Sequence, residues 1–102
     1  MGRSWRNTKE NRKWKKDVKK RDGYKCVLTG STKRLEVHHI NHGSYFPEER
    51  DLVENGVTIH RFIHLFYHWF YHKSTREKCT RKDWVRFVRW FRYLRMINNL
   101  IK

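Results

Sequence analysis

Apolar residues recur along this chain at two different periods, and the change of period marks out its elements. Between Thr8 and Arg21, Trp14 and Val18 stand four apart in a run of mostly Lys and Arg. That spacing predicts a helix with one narrow buried face. Thr8 or Asn11 supplies its N-cap and Gly23 its stop signal. Tyr24 to Leu28 reads as a short strand, broken by Thr29 and Gly30. Leu35–Glu36–Val37–His38–His39–Ile40 begins as an apolar/polar alternation and reads as a second strand. Val57–Thr58–Ile59 is a β-branched run and makes the third. The stretch 41–55 holds the only proline, Pro47, with Gly43 and several charges, so it is a loop with room for one helical turn.

From about Arg61 to Lys73 the pattern becomes helical and strongly aromatic. It is too short and too rich in histidine to span a bilayer. Ser74 or Thr75 through Thr80 forms a connector, and Thr80 or Asp83 opens a terminal helix that runs to about Asn99. On a helical wheel Trp84, Phe87, Val88, Trp90, Phe91, Leu94, Ile97 and Ile101 share one sector, with Lys82, Arg86, Arg89 and Arg92 opposite. Arg95 sits among the apolar residues with no local reason to do so. The chain has no internal repeat and no low-complexity tract.

Composition changes the picture in one respect. The 102 residues carry 25 Lys and Arg against 10 Asp and Glu, a formal charge of +15. The length suits one domain. An aromatic content of 16% excludes a disordered basic tail. Such an excess charge opposes folding and points to a polyanionic partner, nucleic acid first and an anionic membrane surface second. Residues 1–34 hold 13 basic and 3 acidic residues (+10), 35–72 hold 2 and 5 (−3), and 73–102 hold 10 and 2 (+8). Two cysteines are too few for a disulfide framework. No signal peptide is expected, because Met1 is followed by polar residues.

All seven histidines fall in the near-neutral centre. His60, His64, His68 and His72 are spaced by four, so helical neighbours stack one above the other. This fits an aromatic core helix with a histidine-lined polar edge, and equally a metal-binding pair at i and i+4. His38 and His39 add a second feature. Adjacent side chains on a strand face opposite ways, so one imidazole can join a metal site while the next faces a water molecule.

Over about residues 12–72 these blocks resemble the HNH nucleases of ββα-metal type, particularly the small endonucleases of bacteriophages. The resemblance is carried by Arg21–Asp22–Gly23–Tyr24–Lys25–Cys26, Leu35–Glu36–Val37–His38–His39–Ile40, Phe46–Pro47–Glu48–Glu49–Arg50, Glu54–Asn55–Gly56–Val57–Thr58–Ile59, and His64 to His68. The nine-residue interval from Asn55 to His64 matches the family's spacing. The resemblance implies an α+β fold: a ββα-metal (HNH) core with a small antiparallel sheet, flanked by basic N- and C-terminal helices. It implies one nuclease domain over 1–102, with the motif core at about 21–72 and arms at 1–20 and 73–102.

By the same resemblance, His39 is the general base that activates water for attack on phosphorus. His38, His64 and His68 are ligands to one divalent ion (Mg2+, Mn2+, Zn2+ or Ni2+). Asn55 braces the loop and orients the base. Many family members also hold a structural zinc between two Cys-x-x-Cys pairs. Here only Cys26 survives, with His60 and Ile63 at the second pair, so no structural zinc is expected. Cys26 and Ile63 then become core residues and His60 a structural one or a contact to the metal's surroundings, while His42 and His72 take loop or surface roles and Cys79 is a lone thiol.

The arms suit phosphate contacts. Arg61, just before the helical histidines, is the favoured contact near the cut, and Arg86, Arg89 and Arg92 line the terminal helix. Trp5 packs on the domain or on DNA. The leading expectation is therefore a metal-dependent endonuclease acting on double-stranded DNA as a monomer or homodimer, in the cytoplasm of a bacterial host if phage-encoded. A catalytically inactive nucleic-acid-binding module on the same scaffold is the alternative. A basic amphipathic helix acting on membranes is a third reading, and it leaves the central motif unexplained.

Overall fold

In the computed structural model the described residues are 5–75 and 80–100, with side chains described for 5–69 and 80–100. The described residues form an α+β fold, with three α-helices and a two-stranded antiparallel sheet. A 3-10 turn, Trp5–Asn7, leads into α1 (Lys9–Arg21); β1 is Leu35–His39, β2 is Gly56–His60, α2 is Arg61–Thr75 and α3 is Arg81–Leu100.

Thr8 rather than Asn11 caps α1, its hydroxyl accepting the Asn11 backbone N–H. At the other end Gly23 adopts φ +70°, and Tyr24 N–H reaches back to the Lys19 carbonyl. This is the left-handed turn that glycine permits without steric cost. Asn11, Trp14 and Val18 form the buried face of α1. That face lies on the start of β2, where Gly56 is needed for space. A Cβ there would sit 2.5 Å from Val18 Cγ2 and 2.7 Å from Trp14 Cζ2.

The segment expected as a first strand is not one. Tyr24 stands at φ +57°, and Cys26 to Gly30 closes a tight turn through the Gly30 N–H to Cys26 carbonyl bond. The segment still serves the sheet, because β2 has an edge whose polar groups need partners. Val27 N–H donates to the Thr58 carbonyl, and the Asp22 carboxylate accepts the Thr58 N–H at 2.8 Å. Arg21 completes the seam by donating to the Val53 and Gly56 carbonyls.

β1 pairs with β2 from Leu35↔His60 to His39↔Gly56. Directly opposed residues share a face, so Glu36, His38, Val57 and Ile59 face one way and Val37, His39, Gly56 and Thr58 the other. The first face packs under α2 and α3 in a core of Cys26, Leu28, Ile40, Val57, Ile59, Tyr67, Trp84 and Phe87. Ile63 is half-buried against it, so Cys26 and Ile63 are core residues as expected.

On α3 only Trp84 and Phe87 are buried, while Trp90 and Leu94, assigned to the same apolar sector, are exposed. The 20-residue helix is anchored through its first turns, where Trp84 meets His38 and Tyr67 and Phe87 meets Tyr67. Arg95 is explained by tertiary structure: its guanidinium donates to the Leu28 carbonyl. Helix α2 runs to Thr75, two residues past the expected end. The His72 side chain, the connector at 76–79 with Cys79, and Ile101 lie outside the described residues.

Candidate metal centre and cleft

The loop joining the strands is closed by Asn55, which is buried and fully engaged. Its Oδ1 accepts the Asn41 N–H at 2.7 Å, its Nδ2 donates to the Asn41 carbonyl at 2.9 Å, and its backbone carbonyl accepts Ile40 N–H. The amide thus continues the β-ladder one step beyond His39 and sets where the chain leaves the strand. Asn41 in turn accepts Arg81 N–H, tying the loop to the start of α3.

His38 points into the face covered by α2. There it meets His64 and His68, with ring centroids 5.1 and 5.4 Å away. One ligand atom from each of the three imidazoles lies within 4.8 Å of the others, close enough to hold a metal ion. The donor set fits one. His38 is 2% exposed, and its Nε2 is buried with no hydrogen-bond partner, an uncompensated polar atom that an ion would satisfy. His64 Nδ1–H donates to Glu36 Oε1 at 2.8 Å, which leaves Nε2 with a lone pair able to ligate. That Nε2 lies 2.8 Å from His68 Nε2. Burial first, then the neighbouring imidazoles, push the His38 pKa well below the usual histidine value, so the ring is neutral and able to donate a lone pair. Were an ion held by these three imidazoles, the adjoining cleft would give water or substrate access to it.

His39 points to the other face. Its ring stacks on Trp14, with centroids 3.9 Å apart and planes 14° from parallel, and meets the edge of Trp5 at 5.1 Å. His39 Nε2 lies 2.9 Å from the Arg50 carbonyl. A carbonyl only accepts, so Nε2 carries the proton and Nδ1 is the basic atom. Burial lowers the His39 pKa to about 4, opposed by the Arg50 hydrogen bond and aided by the His42, Arg6 and Lys15 charges.

Both histidine sets open into one cleft of about 190 Å3 beside β1. Its walls include His38, His39, His64 and His68, with Arg6, Lys15 and His42. The structure therefore brings together every histidine expected at the site, with Asn55 behind them. It does not bring in the expected phosphate-binding residues. Arg61 is exposed at the start of α2, and neither it nor Arg86, Arg89 or Arg92 lines the cleft. The basic residues that do, Arg6 and Lys15, were indistinguishable by sequence from the rest of the N-terminal arm. Glu36 was missed too, although standing two before His38 on a strand places it on the same face. His60 is structural: its Nδ1 accepts Phe62 N–H and caps α2.

Among the described residues, no helix is long and apolar enough to cross a membrane. No protein-family model, curated protein or solved structure matches the chain.

Proposed function

We propose that this protein is a metal-dependent DNA endonuclease, hydrolysing phosphodiester bonds on a ββα-metal core of HNH type. The observation that carries this reading is the shared cleft. A three-imidazole cluster able to hold metal and a neutral, oriented histidine reach one space from opposite faces of one strand. Metal-assisted hydrolysis needs that pairing of an electrophilic centre with a base.

A divalent ion bound there would polarise the scissile phosphate and stabilise the leaving oxygen. Three imidazoles suit Mn2+, Zn2+ or Ni2+ better than Mg2+, which prefers oxygen ligands. His39 takes the proton of the attacking water at Nδ1, because its Nε2–H is committed to Arg50. Stacking on Trp14 holds the ring plane, so the base is positioned before substrate arrives. Asn55 holds the loop from which Arg50 reaches His39.

The test is plasmid cleavage with each of the four metals, with EDTA and His39→Ala as controls. Nicking or linearisation that is lost in both controls supports the nuclease. Binding of DNA without cleavage in any metal supports the inactive module instead. Cleavage by His39→Ala at the wild-type rate would remove His39 from the mechanism.

A further inference from the structure

We propose that Arg6 and Lys15, and not the arginines of α3, are the pair that grips the substrate's phosphates at the point of cutting. This rests on the nuclease reading. Both residues line the cleft with His39 and the metal-binding cluster. The scissile phosphate has to enter that cleft, and cations there would hold it at short range.

Arg6 is held in place by several independent contacts. The buried Asn11 side chain donates to the Arg6 carbonyl at 2.8 Å. Thr8 ties the same turn to α1 and also donates to the Trp5 carbonyl. The Arg6 guanidinium lies over the Trp5 ring, 4.4 Å from its centroid. Trp5 itself is seated where Gly43 has no side chain, since a Cβ there would come within 2.4 Å of the indole. These local bonds tie the turn to α1, and Trp5 seats it on the loop at Gly43, so the turn forms a wall of the cleft. Lys15 stands one helical turn after Asn11, so it shares the face of α1 that turns toward the cleft. No other charged residue of α1 lines the cleft. Lys13 and Lys20, seven apart, lie on the opposite side of the helix and are exposed.

The face predicts a specific salt response. Each phosphate contact releases counterions and contributes about −0.9 to the slope of log affinity against log salt. Duplex binding is measured by fluorescence anisotropy in EDTA across a salt series, so cleavage is not required for the readout. The Arg6→Gln/Lys15→Gln variant is expected to flatten the slope by about 1.8, and Arg6→Lys to keep it. The Lys13→Gln/Lys20→Gln variant removes the same charge from the other face and is expected to keep the wild-type slope. Where the wild type cuts, Arg6→Gln/Lys15→Gln is also expected to cut at least tenfold more slowly than Lys13→Gln/Lys20→Gln. Equal slopes for the two double variants, each with a cooperative melting transition, would overturn the assignment. A wild type that cuts in no metal would sink the nuclease reading while leaving the slopes to judge this one.

Discussion

Glu36 and His64, twenty-eight residues apart, are joined by a 2.8 Å hydrogen bond from the imidazole Nδ1–H to the carboxylate. It fixes the tautomer of His64 and turns Nε2 toward His38 and His68. Carboxylates behind ligating histidines strengthen metal binding by orienting and polarising the ring. Glu36→Ala is accordingly expected to weaken Zn2+ or Ni2+ affinity by about 10- to 100-fold, read by competition with a chromogenic chelator. Unchanged affinity would mean that Glu36 is only a surface partner.

Occupation of the cluster should also be visible as stability. A ligand that binds only the folded chain adds about 2.7 kcal/mol at a hundredfold excess over its Kd. The wild-type Tm is expected to rise with added Zn2+ or Ni2+, and His64→Ala and His38→Ala should lose that rise. A similar rise in both variants would place the metal elsewhere.

With metal chelated, acid should destabilise the fold through its buried imidazoles. The His39 pKa is lowered to about 4 and that of His38 well below its usual value, in both cases chiefly by burial. Between those values and about 6.5 the unfolded chain binds more protons than the folded one, so stability increases with pH. The contribution is present above about pH 6.5 and is lost as pH falls toward the folded values. Urea midpoints in EDTA should decline from neutral pH to about pH 4.5, within that window. The decline should be smaller in His39→Gln, and an equal decline would assign the effect to other groups.

Gly56 touches both Trp14 and Val18, so a single methyl group tests the packing of α1 on the sheet. Gly56→Ala forces the indole or the valine to move and is expected to cost about 1–3 kcal/mol by overpacking. Because Trp14 carries the His39 ring, the proposed nuclease activity is expected to fall more than the loss of stability explains. Equilibrium unfolding and cleavage rates on the same preparation compare the two effects.

Asn55→Ala deletes both side-chain bonds to Asn41 and leaves the half-buried Asn41 N–H and carbonyl without those partners. The expected cost is about 1–3 kcal/mol. Amide hydrogen exchange in the 40–55 loop should speed up while α1 stays protected. Uniform loss of protection would instead mark Asn55 as part of the global core.

The local elements were readable because each depends on neighbours in sequence. Thr8, Trp14, Val18 and Gly23 delimit α1 by short-range rules, and the β-branched run at Val57 marks β2. The strand at Tyr24 was misassigned for a reason of the same kind. Composition favoured extension, but Gly23 and Tyr24 take left-handed backbone angles that turn the chain, and Asp22 serves the edge of β2 instead. Spacing showed that histidines on α2 and one of the His38–His39 pair could meet; the choice of His38, His64 and His68 came from the family resemblance, and the structure brings those three together.

The charge pattern shows where local reading stops. The +10, −3 and +8 division separated the basic arms from the histidine-rich centre, and that separation depends on sequence alone. It could not say which basic residues face the cleft, because all the arm cations look alike along the chain. Tertiary structure decided it. Trp5 seats against Gly43, Trp14 stacks on His39 and donates to the Leu52 carbonyl, and Glu36 reaches His64. Periodicity determines which way a side chain faces on its own element; what it meets there depends on how distant elements pack, and packing turned a run of Lys and Arg into one cleft-facing pair.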